Sequence, residues 1–162
     1  MFLWFLGVSV AFVFLVFRSP ALDYRLVMLG AVLPLGEVAF GGPRLLHTLV
    51  CTVVILAVVM LATRDRRLVR RRWISLPIGM MMHLVLDGVW AQTAVFWWPF
   101  FGWSFGTEPL PELDRGFGVI LLLEAIGLAA LVWCFTSFGL RDPQHRDTFL
   151  RTGHLPRDLA AP

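Results

Sequence analysis

Apolar and polar positions along this chain fall into blocks, not into the short periods of amphipathic helices or half-buried strands. Phe2 to Phe17 is the first apolar block, and Arg18, Asp23 and Arg25 form a brief polar link after it. The second block, residues 26–40, contains Gly30, Pro34 and Gly36 and is read as a short, tilted or kinked span, because proline removes a backbone donor. Gly41, Gly42 and Pro43 predict a tight turn, and residues 45–62 form the third block. A fourth span is expected over 73–95, interrupted by His83 and Asp87 and followed by Trp97, Trp98 and Trp103. After a Pro-containing acidic loop at 107–114 comes the fifth block, 117–140, carrying Glu124. The polar tail at 141–162 is expected to be weakly ordered.

Composition turns these blocks into a fold class. Of 162 residues, 58% are hydrophobic and 15% charged, more apolar surface than a soluble domain of this length can bury. The expectation is an all-α, polytopic transmembrane helix bundle of about five spans (2–17, 26–40, 45–62, 73–95 and 117–140). It forms one domain over residues 1–140, followed by a cytoplasmic tail. No basic residue precedes the first block and no clear A-x-A site follows it, so it reads as a span and not a cleaved leader. Arg64 to Arg72 carries six arginines and one aspartate, and such clusters stay on the cytoplasmic side. Five spans then place the N-terminus outside and the C-terminus inside. The cluster has a second reading, as a site for anionic lipid headgroups.

All fourteen basic residues are arginine, a bias that points to a GC-rich genome. Cys51 and Cys134 both lie in apolar blocks and provide neither a disulfide framework nor a zinc-ribbon spacing. No nucleotide-binding motif, nucleic-acid readout pattern or Ser-His-Asp triad appears.

Ionisable side chains inside a membrane are costly and mark wet cavities or sites. The candidates are Glu37, His47, His83, Asp87 and Glu124. At ~1.5 Å rise per residue, Asp87 is expected roughly 12 Å below the outer boundary, and Glu124 on the order of 10 Å below it. His83 and Asp87, at i and i+4, share a helical face. Imidazole with carboxylate at this spacing suits a divalent metal, with His47, Glu37 or Glu124 completing the set, and such an ion activates water. The alternative is a buried polar pair that locks helix packing. His47 would then rest at the interface, Glu37 would be solvated, and Glu124 would be protonated and hydrogen-bonded to a neighbouring helix.

The stretch GMMMHLVLDGVWAQTAVFWWPF, Gly79 to Phe100, resembles a hallmark of the YdjM-like inner-membrane metal-dependent hydrolases, a His-x-x-x-Asp on a membrane helix followed by a Trp-Pro-Phe-like end. LLHT, Leu45 to Thr48, is similar to that family's Thr-His-Ser segment, and LPLGE, Leu33 to Glu37, stands where the family has a Leu-Pro-Asp-x-Asp-type motif. The resemblance covers residues 25 to 105. It implies a multi-pass protein of the bacterial inner membrane, a divalent metal (zinc or manganese) and ligand roles for His47, His83 and Asp87. Leu35, Val38, Gly42 and Leu46 depart from the pattern, although Arg44 supplies a guanidinium near the missing His-Arg segment.

Two functions follow. One is a hydrolase acting on a lipid-linked or headgroup ester near the outer face, with Asp87 and His83 on the metal and Arg44 on an anionic substrate group. The other is a diverged, non-catalytic membrane protein whose polar cluster braces the bundle or binds a partner. A carrier ranks last, since the five blocks show no internal repeat.

Overall fold

The computed structural model describes residues 1–39, 44–105 and 115–156. The predicted turn at 41–43 and the acidic loop at 107–114 lie outside the described residues. Those described form eight α-helices and no strand: α1 Phe2–Phe17, α2 Tyr24–Ala39, α3 Leu49–Ala62, α4 Arg67–Trp73, α5 Ser75–Asp87, α6 Thr93–Phe96, α7 Phe117–Ser137 and α8 Pro143–Thr152.

Local chemistry sets the helix ends. Arg18 turns left-handed (φ 43°) and its N–H donates to the Phe14 carbonyl, closing α1. Thr48 is extended, and its hydroxyl accepts from the Cys51 N–H, so α3 starts at Leu49 after a one-turn 3-10 helix, Leu45–His47. Gly88, at φ 80°, stops α5. The expected fourth span is corrected by this stop. The apolar run continues past Asp87, but as a 3-10 turn and the one-turn α6. Asp87 is therefore the last residue of its helix and does not lie eight residues inside one.

Among the described residues only α7, with 21 residues, is long and apolar enough to cross a membrane by itself. The other four long helices have 16, 16, 14 and 13 residues, or roughly 20–24 Å each against ~30 Å of hydrocarbon. Pro34 lies inside α2 without ending it.

Two glycine crossings organise the packing. On α1 and α7, a Cβ at Gly7 would collide with the Gly127 carbonyl, and one at Gly127 with the Leu3 backbone. On α2 and α5, a Cβ at Gly30 would meet the Leu76 carbonyl, and one at Gly79 the Val27 carbonyl. Small residues let these backbones touch. Contacts between residues 3 and 124, 7 and 127, and 14 and 133 show that α1 and α7 run parallel. Residues 27 with 79 and 31 with 83 do the same for α2 and α5. The Phe14–Tyr24 contact joins the end of α1 to the start of α2, so α1 and α7 point one way and α2 and α5 the other. The main core holds Val10, Val13, Tyr24, Val27 and Phe138.

At the end of the bundle where α1 stops and α2 begins, Asp23 is fully buried. Its carboxylate accepts from Arg25 at 3.0 and 3.2 Å and from Arg72 Nε at 3.1 Å, while its N–H donates to Ser75 Oγ at 3.0 Å. Burial alone would push this carboxyl up. The Arg25 hydrogen bond and charge, with the Leu26 and Arg25 amides, outweigh it and hold the group below its ordinary value.

The described part of the tail, residues 141–156, packs onto this hub, where the sequence predicts weak order. Asp142 caps α8, Phe149 and Leu155 are buried, Tyr24 N–H donates to the Gly153 carbonyl at 2.9 Å, and Arg25 donates to the Leu150 carbonyl at 2.6 Å. Gly153 has φ 74°, and a Cβ there would strike the Asp23 carboxylate. Gly153→Ala is therefore expected to cost about 1–3 kcal/mol and to free the tail for proteolysis. Unfolding and cleavage curves that overlay those of the parent would refute this.

Candidate metal centre

Three elements meet at the other end: the last turn of α5, the 3-10 turn before α3, and the second half of α2. They bring His47, His83 and Asp87 together, all with no exposed surface. One ligand atom from each lies within 4.8 Å of the others, a group of the size that holds a metal ion.

Each imidazole has an oxygen behind it. His83 Nδ1 lies 2.8 Å from the Ala31 carbonyl oxygen. A carbonyl can only accept, so Nδ1 carries the hydrogen and Nε2 the lone pair. Phe5 stacks on the same ring, with centroids 4.1 Å apart. Glu37 Oε2 faces His47 Nδ1 at 3.5 Å, while the carboxylate accepts from the Leu45 and Leu46 amides at 2.7 and 2.8 Å. In the tautomer with Nδ1–H on the Glu37 side, His47 also presents a lone pair at Nε2; in the other, its Nε2–H donates to His83 Nε2.

The two Nε2 atoms are 3.3 Å apart. In the first tautomer the two lone pairs repel unless a positive charge, a proton or a metal ion, lies between them. The spacing suits a metal: two nitrogens each ~2.05 Å from a tetrahedral zinc are about 3.3 Å apart. An Nε2 pair with a carboxylate is an ordinary donor set for zinc and related ions.

Sequence reasoning placed His47, His83 and Asp87 correctly as neighbours and gave Glu37 a different part from the one it plays. Glu37 lies outside the three-residue group and stands behind His47, capping the 3-10 turn. Glu124 is engaged elsewhere: it accepts from the Leu3 N–H at 2.9 Å and pairs with the Met1 amine at 3.1 Å, tying α7 to the start of α1. Arg44, at φ 68°, heads the turn that carries His47. Arg115 was missed. Its guanidinium donates to the Asp87 carbonyl and lies 3.7 Å from the Asp87 carboxylate. The available signal was its place as the one basic residue at the head of the last apolar block. Compared with protein-family models, curated proteins and solved structures, the chain matches none of them.

Proposed function

We propose that this chain is a multi-pass protein of the bacterial inner membrane, N-terminus outside and C-terminus cytoplasmic, whose His47–His83–Asp87 group is a metal-dependent hydrolase-like centre. The membrane placement is supported by the apolar exterior of α3 and α7, where Val54, Leu61, Leu121, Leu122 and Val132 are all more than half exposed. It is supported too by the alternating helix directions and by the segregation of the arginine arm from the histidine end. The observation that carries the metal reading is the approach of the two buried Nε2 atoms to 3.3 Å, with the Asp87 carboxylate beside them.

His83, His47 and Asp87 would hold the ion. The Ala31 carbonyl and Glu37 fix the two ring orientations, which makes both nitrogens better donors. Phe5 seals one side of His83 against water. Arg115 draws the Asp87 main chain into place, and with Arg44 it provides positive charge for an anionic group, in keeping with a lipid-linked or headgroup ester as substrate. A bound zinc or manganese ion would supply Lewis acidity for activating water at that ester.

The complete burial of all three residues favours a second reading, a non-catalytic bundle braced by the polar cluster, since closed sites are structural more often than catalytic. Elemental analysis of the detergent-purified chain beside His83→Ala separates the possibilities. The expected result is about one divalent ion per chain, lost in a variant that keeps its helical content. An unchanged metal content in the variant, or none in either protein after zinc and manganese loading, sinks the metal centre. Stoichiometric metal without ester hydrolysis selects the braced bundle.

A further inference from the structure

Away from the histidines, the chain between α3 and α5 forms an arm with six arginines and a single acid, Asp65. Arg72 alone among these arginines forms an ion pair among the described residues, with Asp23. Arg66 and Arg67, together with Asp65, Leu68 and Val69, line an open cavity of about 500 Å³. Val69 also borders a second cavity of about 400 Å³, lined by Val58, Val59 and Ala62 at the end of α3, Trp73 of α4 and Leu76 of α5. Thr63, whose hydroxyl is already bonded to the Val59 carbonyl, is the polar residue in that lining.

A cationic rim and an apolar slot thus adjoin on one short helix, beside a Leu68 that is 81% exposed. A soluble polyanion would use the arginines and leave the slot empty. An apolar partner helix would fill the slot and leave the uncompensated charge. An amphiphile with a negative head and a hydrocarbon tail satisfies both.

We propose that this slot binds one acyl chain of an anionic glycerophospholipid, with its phosphate held by Arg66 and Arg67. The proposal rests on the membrane placement above and is independent of the metal. It turns a charge cluster that topology alone would explain into a site with a defined ligand class.

The test is native mass spectrometry of the full chain in detergent. It is titrated with phosphatidylglycerol, phosphatidylcholine of the same acyl chains, or glycerol phosphate. Phosphatidylglycerol should be retained at least about tenfold better than phosphatidylcholine. At roughly fivefold per basic residue, the pair Arg66→Gln and Arg67→Gln should weaken it about 25-fold, while Arg66→Lys with Arg67→Lys should keep most of the binding. Val59→Trp, which fills the slot and leaves every arginine in place, should also weaken it. Equal retention of the two lipids overturns the proposal. So does displacement by equimolar glycerol phosphate, which marks a bare phosphate site, or a Val59→Trp protein that binds as the parent does. A chain that purifies monodisperse without detergent refutes the membrane placement itself, whereas lipid selectivity lost in a detergent-dependent protein refutes the slot alone.

Discussion

Gly79→Leu is expected to prevent the bundle from assembling. Gly79 sits where α5 touches α2, and even a single added carbon would meet the Val27 carbonyl and the Ala31 amide. Backbone atoms on both sides cannot rotate away as side chains do, so the helices must separate. Overpacking a well-packed contact costs typically 1–3 kcal/mol, and one against backbone belongs at or above the top of that range, about 3 kcal/mol or more. Separation also pulls His83, one turn further along α5, off the Ala31 carbonyl that orients it. The variant should lose both its monodisperse size-exclusion peak and its metal. Gly118→Leu is the matched control, because a Cβ there meets nothing within 4 Å. If both variants purify and melt alike, the close crossing does not hold the bundle together.

The second large effect separates two carboxylates that look alike in sequence. Glu37→Gln should weaken metal binding about 10- to 100-fold, the usual consequence of losing the group behind a ligating histidine. Glu124→Gln should leave metal affinity unchanged and loosen the start of α1, where Glu124 holds the Leu3 amide. Competition with a chromogenic chelator measures the first, and protease sensitivity near the N-terminus the second. Metal lost on changing Glu124 and kept on changing Glu37 would reverse their assignment.

How much of this was legible in the sequence depends on the range of the interaction. The first apolar block predicts α1 residue for residue, because hydropathy and helix ends coincide where Arg18 follows Phe17. The His83–Asp87 pair was readable because i and i+4 positions meet on any helix. The end of α5 was not. Val89 to Val95 is as apolar as what precedes it, and hydropathy carries no trace of the left-handed turn at Gly88. Arg115 was missed, and of the two readings of Glu124 the structure bears out the bond to a neighbouring helix without the sequence naming which, for a different reason. Their partners are Asp87 and Leu3, 28 and 121 residues away, and only tertiary packing brings them together. The docking of α8 was hidden by dilution, since Phe149 and Leu155 are two anchors in a mostly polar stretch.

The parallel contact of α1 with α7 has a consequence for biogenesis. The backbone partner of α1 lies far along the chain, with more than a hundred residues between Gly7 and Gly127. Until α7 has been made, α1 offers an open glycine face to any helix that passes. Closure must therefore wait until α7 has been synthesised, and whatever shelters the glycine face of α1 in the interval would set the yield of correctly assembled protein.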